Sequence, residues 1–86
     1  MNTSKSKGLI NALAQEVNGE RVALGLTIQQ LADKAELSKS TIDRLNKGTL
    51  DVKLTVLAAL AEVLQMEPLA LLQKAQDRQK KNQGIS

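Results

Sequence analysis

A chain of 86 residues allows one small domain with a single core and short tails. With no cysteine there is no disulfide framework and no thiolate metal site, and with no histidine the imidazole triads, HExxH zinc sites and Cys/His clusters fall away. The apolar share is 42%, mainly Leu, Ala, Val and Ile with no aromatic residue, which favours helices over strands, while the net charge is a modest +3.

In chain order, residues 1–8 are polar and end in Gly8, and read as a flexible arm. From Leu9, apolar residues at Ile10, Leu13, Ala14 and Val17 have helical spacing. Asn18-Gly19 either ends that helix or weakens it. Because Val22 and Leu24 carry the apolar stripe on to Gly25, one long first helix is expected. Thr27 followed by Gln30 has the form of a capping box, and Ile28, Leu31, Ala32 and Ala35 give a second helix of about two turns. Glu36 and Leu37 separate it from Ser38, an N-cap for a third helix that runs to Lys47 and ends at Gly48. Segment Leu54 to Leu64 is apolar on nearly every side, which suits the centre of a bundle or an interface. Pro68 opens a fifth helix that frays from Gln76. The expected architecture is all-α: a compact five-helix bundle over residues 9–75, with a polar, basic tail over 76–86.

Charge is unevenly placed. Residues 9–72 carry six bases against eight acids, so the body is slightly acidic, yet segment 37–49 holds Lys39, Arg44 and Lys47 against Asp43 alone. On a wheel of about 100° per residue with Lys39 at zero, Asp43, Lys47, Ser40 and Arg44 fall between roughly 40° and 140°. Ile42 and Leu45 fall opposite, as anchors to the core. An ordinary surface helix can share this pattern. The short preceding helix, the tight turn and the capped start are what a major-groove reader needs to aim its side chains at base edges. Lys and Arg donate to guanine O6 and N7, and Ser bonds to several groups, so Lys39, Ser40 and Arg44 have the chemistry for reading bases.

The run from Arg21 to Leu72, with Gly25-Leu26-Thr27, Leu31-Ala32, Ala35, Leu37-Ser38, Thr41-Ile42, Leu45, Gly48 and Leu54…Leu57…Leu60-Ala61…Leu64, resembles the lambda-repressor-like helix-turn-helix family of phage repressors and Cro-type (Xre-type) regulators. The resemblance implies base contacts from Lys39, Ser40, Thr41 and Arg44, and phosphate contacts from Thr27, Gln29, Ser38, Lys47 and Thr49. Three positions depart from the family pattern. Ile28 stands where a phosphate-gripping glutamine is usual. Glu36 stands at the turn glycine, with a strain on the order of 1 to 2 kcal/mol if its φ is positive. Arg21 faces Asn46 where a glutamate is common, so a hydrogen bond replaces an ion pair and Arg21 becomes a further candidate for phosphate.

The expected function is a sequence-specific DNA-binding transcriptional regulator, a repressor acting as a homodimer on a near-palindromic operator with half-sites roughly 34 Å apart. Met66, Pro68, Leu71 and Ala75 on the last two helices are the candidate dimer contacts, with Leu71, like Val63, read alternatively as a core residue. The alternative is an antitoxin or adaptor whose main role is to bind a partner protein. No catalytic residue, metal ligand or cofactor is expected: carboxylates show no acid/base pairing, and glycines form no nucleotide cradle. The longest apolar stretch, Val56 to Leu64, contains Glu62 and is far short of the roughly 20 residues of a membrane span. Asn11, Gln15 and Glu16 break up any signal-peptide core, so a cytoplasmic protein with no membrane partner is expected.

Overall fold

The computed structural model describes residues 3–82, with side chains from Lys7 onward. Five helices follow one another: α1 (Thr3–Ala23), α2 (Ile28–Ala35), α3 (Lys39–Lys47), α4 (Leu54–Val63) and α5 (Pro68–Asn82). Among the described residues there is no strand. The bundle measures 34 × 23 × 19 Å.

The core is built from aliphatic side chains. Leu13 and Val17 of α1, Leu31 and Ala32 of α2, Ile42 and Leu45 of α3, Leu57, Leu60 and Ala61 of α4, and Leu71 and Ala75 of α5 form one cluster. The longest contact joins α1 to α5, with α3 packed on α1 and α2, and α4 on α2 and α5. Glu16 with Arg78 at 3.1 Å and Glu20 with Lys74 at 3.4 Å pin the outer edges of the α1–α5 pair.

Helices α1 to α4 end in the same way. A residue in the left-handed region, Gly25, Glu36, Gly48 or Gln65, follows the last turn. The next N–H then reaches back five residues to a carbonyl: Leu26 to Arg21, Leu37 to Ala32, Thr49 to Arg44 and Met66 to Ala61, at 2.9 to 3.0 Å. These bonds satisfy carbonyls that a helix end leaves open.

Four expectations need correction. Residues 1–8 are not all arm, because α1 already begins at Thr3. Once Leu9 to Val17 nucleate the helix, each added turn costs little. Gly8 also lies against α5, where a Cβ would come within 3.1 Å of Gln79 Nε2. Nor does the bundle end at residue 75: α5 continues to Asn82 and buries Gln79. Residues 83–86 of the expected tail lie outside the described residues. Helix α4 is not buried all round, since Leu57, Leu60 and Ala61 face inward while Leu54 is 81% exposed. Finally, Leu71 and Ala75 are fully buried, so they hold the monomer together and have no surface to offer a partner. Met66 and Pro68 are half-buried at the α4–α5 corner.

Candidate nucleic-acid interface

The geometry of the site begins with two caps. Thr27 Oγ1 accepts from the Gln30 N–H at 3.0 Å, and the Thr27 N–H donates back to Gln30 Oε1 at 2.8 Å, completing the capping box that starts α2. Ser38 Oγ accepts from the Thr41 N–H at 3.1 Å and starts α3. Between them Glu36 takes φ 57° and ψ 38°, so the turn adopts the glycine-type conformation with a side chain in place. That conformation reverses the chain in two residues and sets α3 against α2.

Ile42 and Leu45 are each 1% exposed and anchor α3 to the core. Lys39, Ser40, Asp43, Arg44 and Lys47 are all exposed. The polar face read from the helical wheel is therefore a real outer surface, with three cations and one carboxylate on about two and a half turns. Thr41 differs from its neighbours. It is half-buried, and its hydroxyl lies 2.9 Å from that of Ser38, so its polar atom is already engaged.

The other expected phosphate ligands lie at the start of α2 and at the two ends of α3. Gln29 is exposed in the first turn of α2, its amide Nε2 donating to Asp33 Oδ1 at 2.9 Å. Thr49 is exposed just past α3, its hydroxyl donating to the Arg44 carbonyl at 3.4 Å. Thr27 and Ser38 use their side-chain oxygens as caps, so what those helix starts offer an anion is the N–H groups of the first turn and the positive end of the helix dipole.

Arg21 is placed otherwise than expected. Its Nη1 donates to the Leu26 carbonyl at 2.6 Å and its Nε to Asn18 Oδ1 at 3.3 Å. It does not bond Asn46 directly: Asn18 stands between, its Nδ2 donating to Asn46 Oδ1 at 3.0 Å. The guanidinium is thus held by its own chain rather than free for phosphate. The Leu26 carbonyl at the entrance to α2 captures it.

Two residues that sequence reasoning missed support the site. Asn18, read only as a weak point in α1, is the link from Arg21 to α3; its three-residue spacing from Arg21 was the available signal. Asn11 packs its amide against Gly48 so closely that a Cβ on Gly48 would strike Asn11 Oδ1. Nothing in sequence spacing pairs positions 11 and 48. Both asparagines tie the C-terminal end of α3 to α1, as Ser38 fixes its N-terminal end.

A family model described as helix-turn-helix matches residues 20–72. Among solved structures, the clp gene regulator ClgR from Corynebacterium glutamicum is similar, with a TM-score of 0.80 at 22% identity, over 88% of this chain and 81% of that one. No curated protein matches the sequence.

Proposed function

The chain belongs to the Cro/C1-type helix-turn-helix family of DNA-binding transcriptional regulators, and from that premise we propose that it is a repressor that grips a near-palindromic operator as a homodimer and silences a promoter by occupying it. The observation that carries this reading is the exposed cationic face of α3, held from behind by Ile42 and Leu45. A rigid helix presenting Lys39, Ser40 and Arg44 outward fits the wide groove of duplex DNA, where guanine offers two acceptors on one edge. Thr41, with its hydroxyl engaged, would contribute its methyl group to a thymine methyl. Lys47, Thr49, Gln29 and the two capped helix starts would meet phosphates on either side, fixing register without reading sequence.

A homodimer follows from economy of contact. One short helix touches only a few base pairs, and a twofold axis doubles the site at half-site spacings of one helical turn, about 34 Å. The reading places the protein in a prokaryotic or phage-infected cytoplasm, where such DNA lies. Among the described residues no single helix is long and apolar enough to cross a membrane; α4 and α5 meet that standard only jointly, across a 97° bend.

Selection of bound sequences from random duplexes tests the proposal. A symmetric consensus should emerge. Arg44→Ala and Lys39→Ala should each cost about 1–3 kcal/mol of discrimination at one base position per half-site. Their thermal melting should stay at the wild-type value, because both side chains are exposed. Footprints that neither substitution changes would remove α3 from the role of reader.

A further inference from the structure

The surface least explained by DNA binding is apolar and lies just past α3. Leu54, the first residue of α4, is 81% exposed, and Leu69, in the first turn of α5, is 77% exposed. Beside Leu54 runs a groove of about 280 Å³ between α1 and the start of α4, floored by Leu9, Ile10, Val52 and Leu72, with Asp51 and Lys53 along its wall. Leu69 stands one turn before Leu72 on α5 and so extends the same apolar strip. None of Lys39, Ser40 or Arg44 lines this groove.

We propose that this groove is where two copies of the chain meet, each placing Leu54 into the groove of the other across a twofold axis. The proposal rests on the homodimer reading above and gives it a surface. A twofold interface must be complementary to itself: the patch that supplies a protrusion must also supply the recess that receives it. Here protrusion and recess are adjacent. Their charges obey the same rule. Asp51 and Lys53 are both exposed, of opposite sign, and both line the groove. Rotation by 180° sets Asp51 of one copy against Lys53 of the other, and the reverse, giving two ion pairs from one patch. A partner of uniform charge would meet one attraction and one repulsion.

Position adds a third argument. The groove is joined to α3 by the short loop 48–53, yet Lys39, Ser40 and Arg44 do not line it, so a contact made there does not use the side chains assigned to the bases.

Sedimentation equilibrium of the full chain over a hundredfold range of concentration, alone and on the selected operator, tests the interface. Wild type should dimerise reversibly. Leu54→Glu and Asp51→Lys should each weaken dimerisation about tenfold or more, and the reciprocal pair Asp51→Lys with Lys53→Asp should restore it to within about threefold, since opposite charges again face each other. Helical content, and melting at dilutions where every form is monomeric, should be unchanged in all three, because every altered side chain is exposed in the single chain. Dimers of unaltered affinity in Leu54→Glu and Asp51→Lys would overturn the interface while leaving the homodimer reading intact, the more so if Met66→Glu at the α4–α5 corner abolished them. A charge-swapped pair as weak as Asp51→Lys alone would overturn the twofold arrangement. A wild type monomeric both in solution and on DNA would sink the interface and the homodimer reading together.

Discussion

At the scale of single residues, the four helix ends present a natural comparison. Gly25 and Gly48 sit at φ 73° and 75°, where glycine carries no steric penalty, whereas Glu36 and Gln65 hold φ 57° and 60° with side chains. Left-handed backbone costs a residue with a Cβ about 1–2 kcal/mol, and glycine gives back part of that through a freer unfolded chain. Glu36→Gly and Gln65→Gly should therefore each stabilise the fold by about 0.5–1 kcal/mol, a rise of several degrees in Tm for a domain of this size. Both side chains are exposed, so no packing is lost. Gly48→Ala should do the opposite and cost about 2 kcal/mol or more, because it adds the left-handed penalty to a collision with the Asn11 amide. Calorimetry on the three variants decides the matter: a neutral Gly48→Ala would mean that the α3 end has room to shift, and the contact with Asn11 would lose its significance.

At the scale of elements, α3 is aimed by what holds its two ends. Ser38 fixes the start, while Asn11 and the Arg21–Asn18–Asn46 chain tie the end to α1. Arg21 also closes the turn into α2 through the Leu26 carbonyl. Arg21→Ala removes a charged donor from a half-buried site and should lower stability by about 1.5–3 kcal/mol. Its effect on the salt dependence of DNA binding should be nil, whereas a phosphate ligand would take about one unit from the slope for each copy bound. Denaturant melts and a salt titration of the same variant separate the two roles. The contrast also marks how far the sequence could be read. Caps at Thr27 and Ser38, the glycine at 48 and the anchors Ile42 and Leu45 were legible because each is a local signal, set by spacing within one turn of helix. The link from Asn18 to Asn46, the approach of Asn11 to Gly48 and that of Gly8 to Gln79 were not, because they join positions far apart in the chain. Ala75 was misassigned, and Leu71 left open between core and dimer face, for a related reason: an apolar stripe on the last helix is the same pattern whether it faces α1 or a second copy, and only packing tells which.

At the scale of the whole molecule, binding must overcome a body that is slightly acidic. With six bases against eight acids over residues 9–72, net attraction to DNA has to come from the placement of a few cations. Lys39, Arg44 and Lys47 are gathered on α3. The other basic group, Arg78, Lys80 and Lys81, lies on α5, which packs on α1 and α4 rather than on the recognition unit, and Arg78 is turned back onto Glu16. If α3 alone faces the duplex, two or three cations per copy displace counterions. The logarithm of the affinity of a dimer should then fall against the logarithm of salt concentration with a slope on the order of −4 to −5. Lys47→Ala should make that slope shallower by about two, one phosphate for each copy, with little change in sequence preference. The double substitution Lys80→Ala with Lys81→Ala should leave the slope where it was. Equilibrium binding to the selected operator at a series of salt concentrations measures all three. A slope that followed the α5 lysines and ignored Lys47 would mean that the duplex lies along the opposite side of α1, against the far end of the bundle, and that the cationic face of α3 looks away from it.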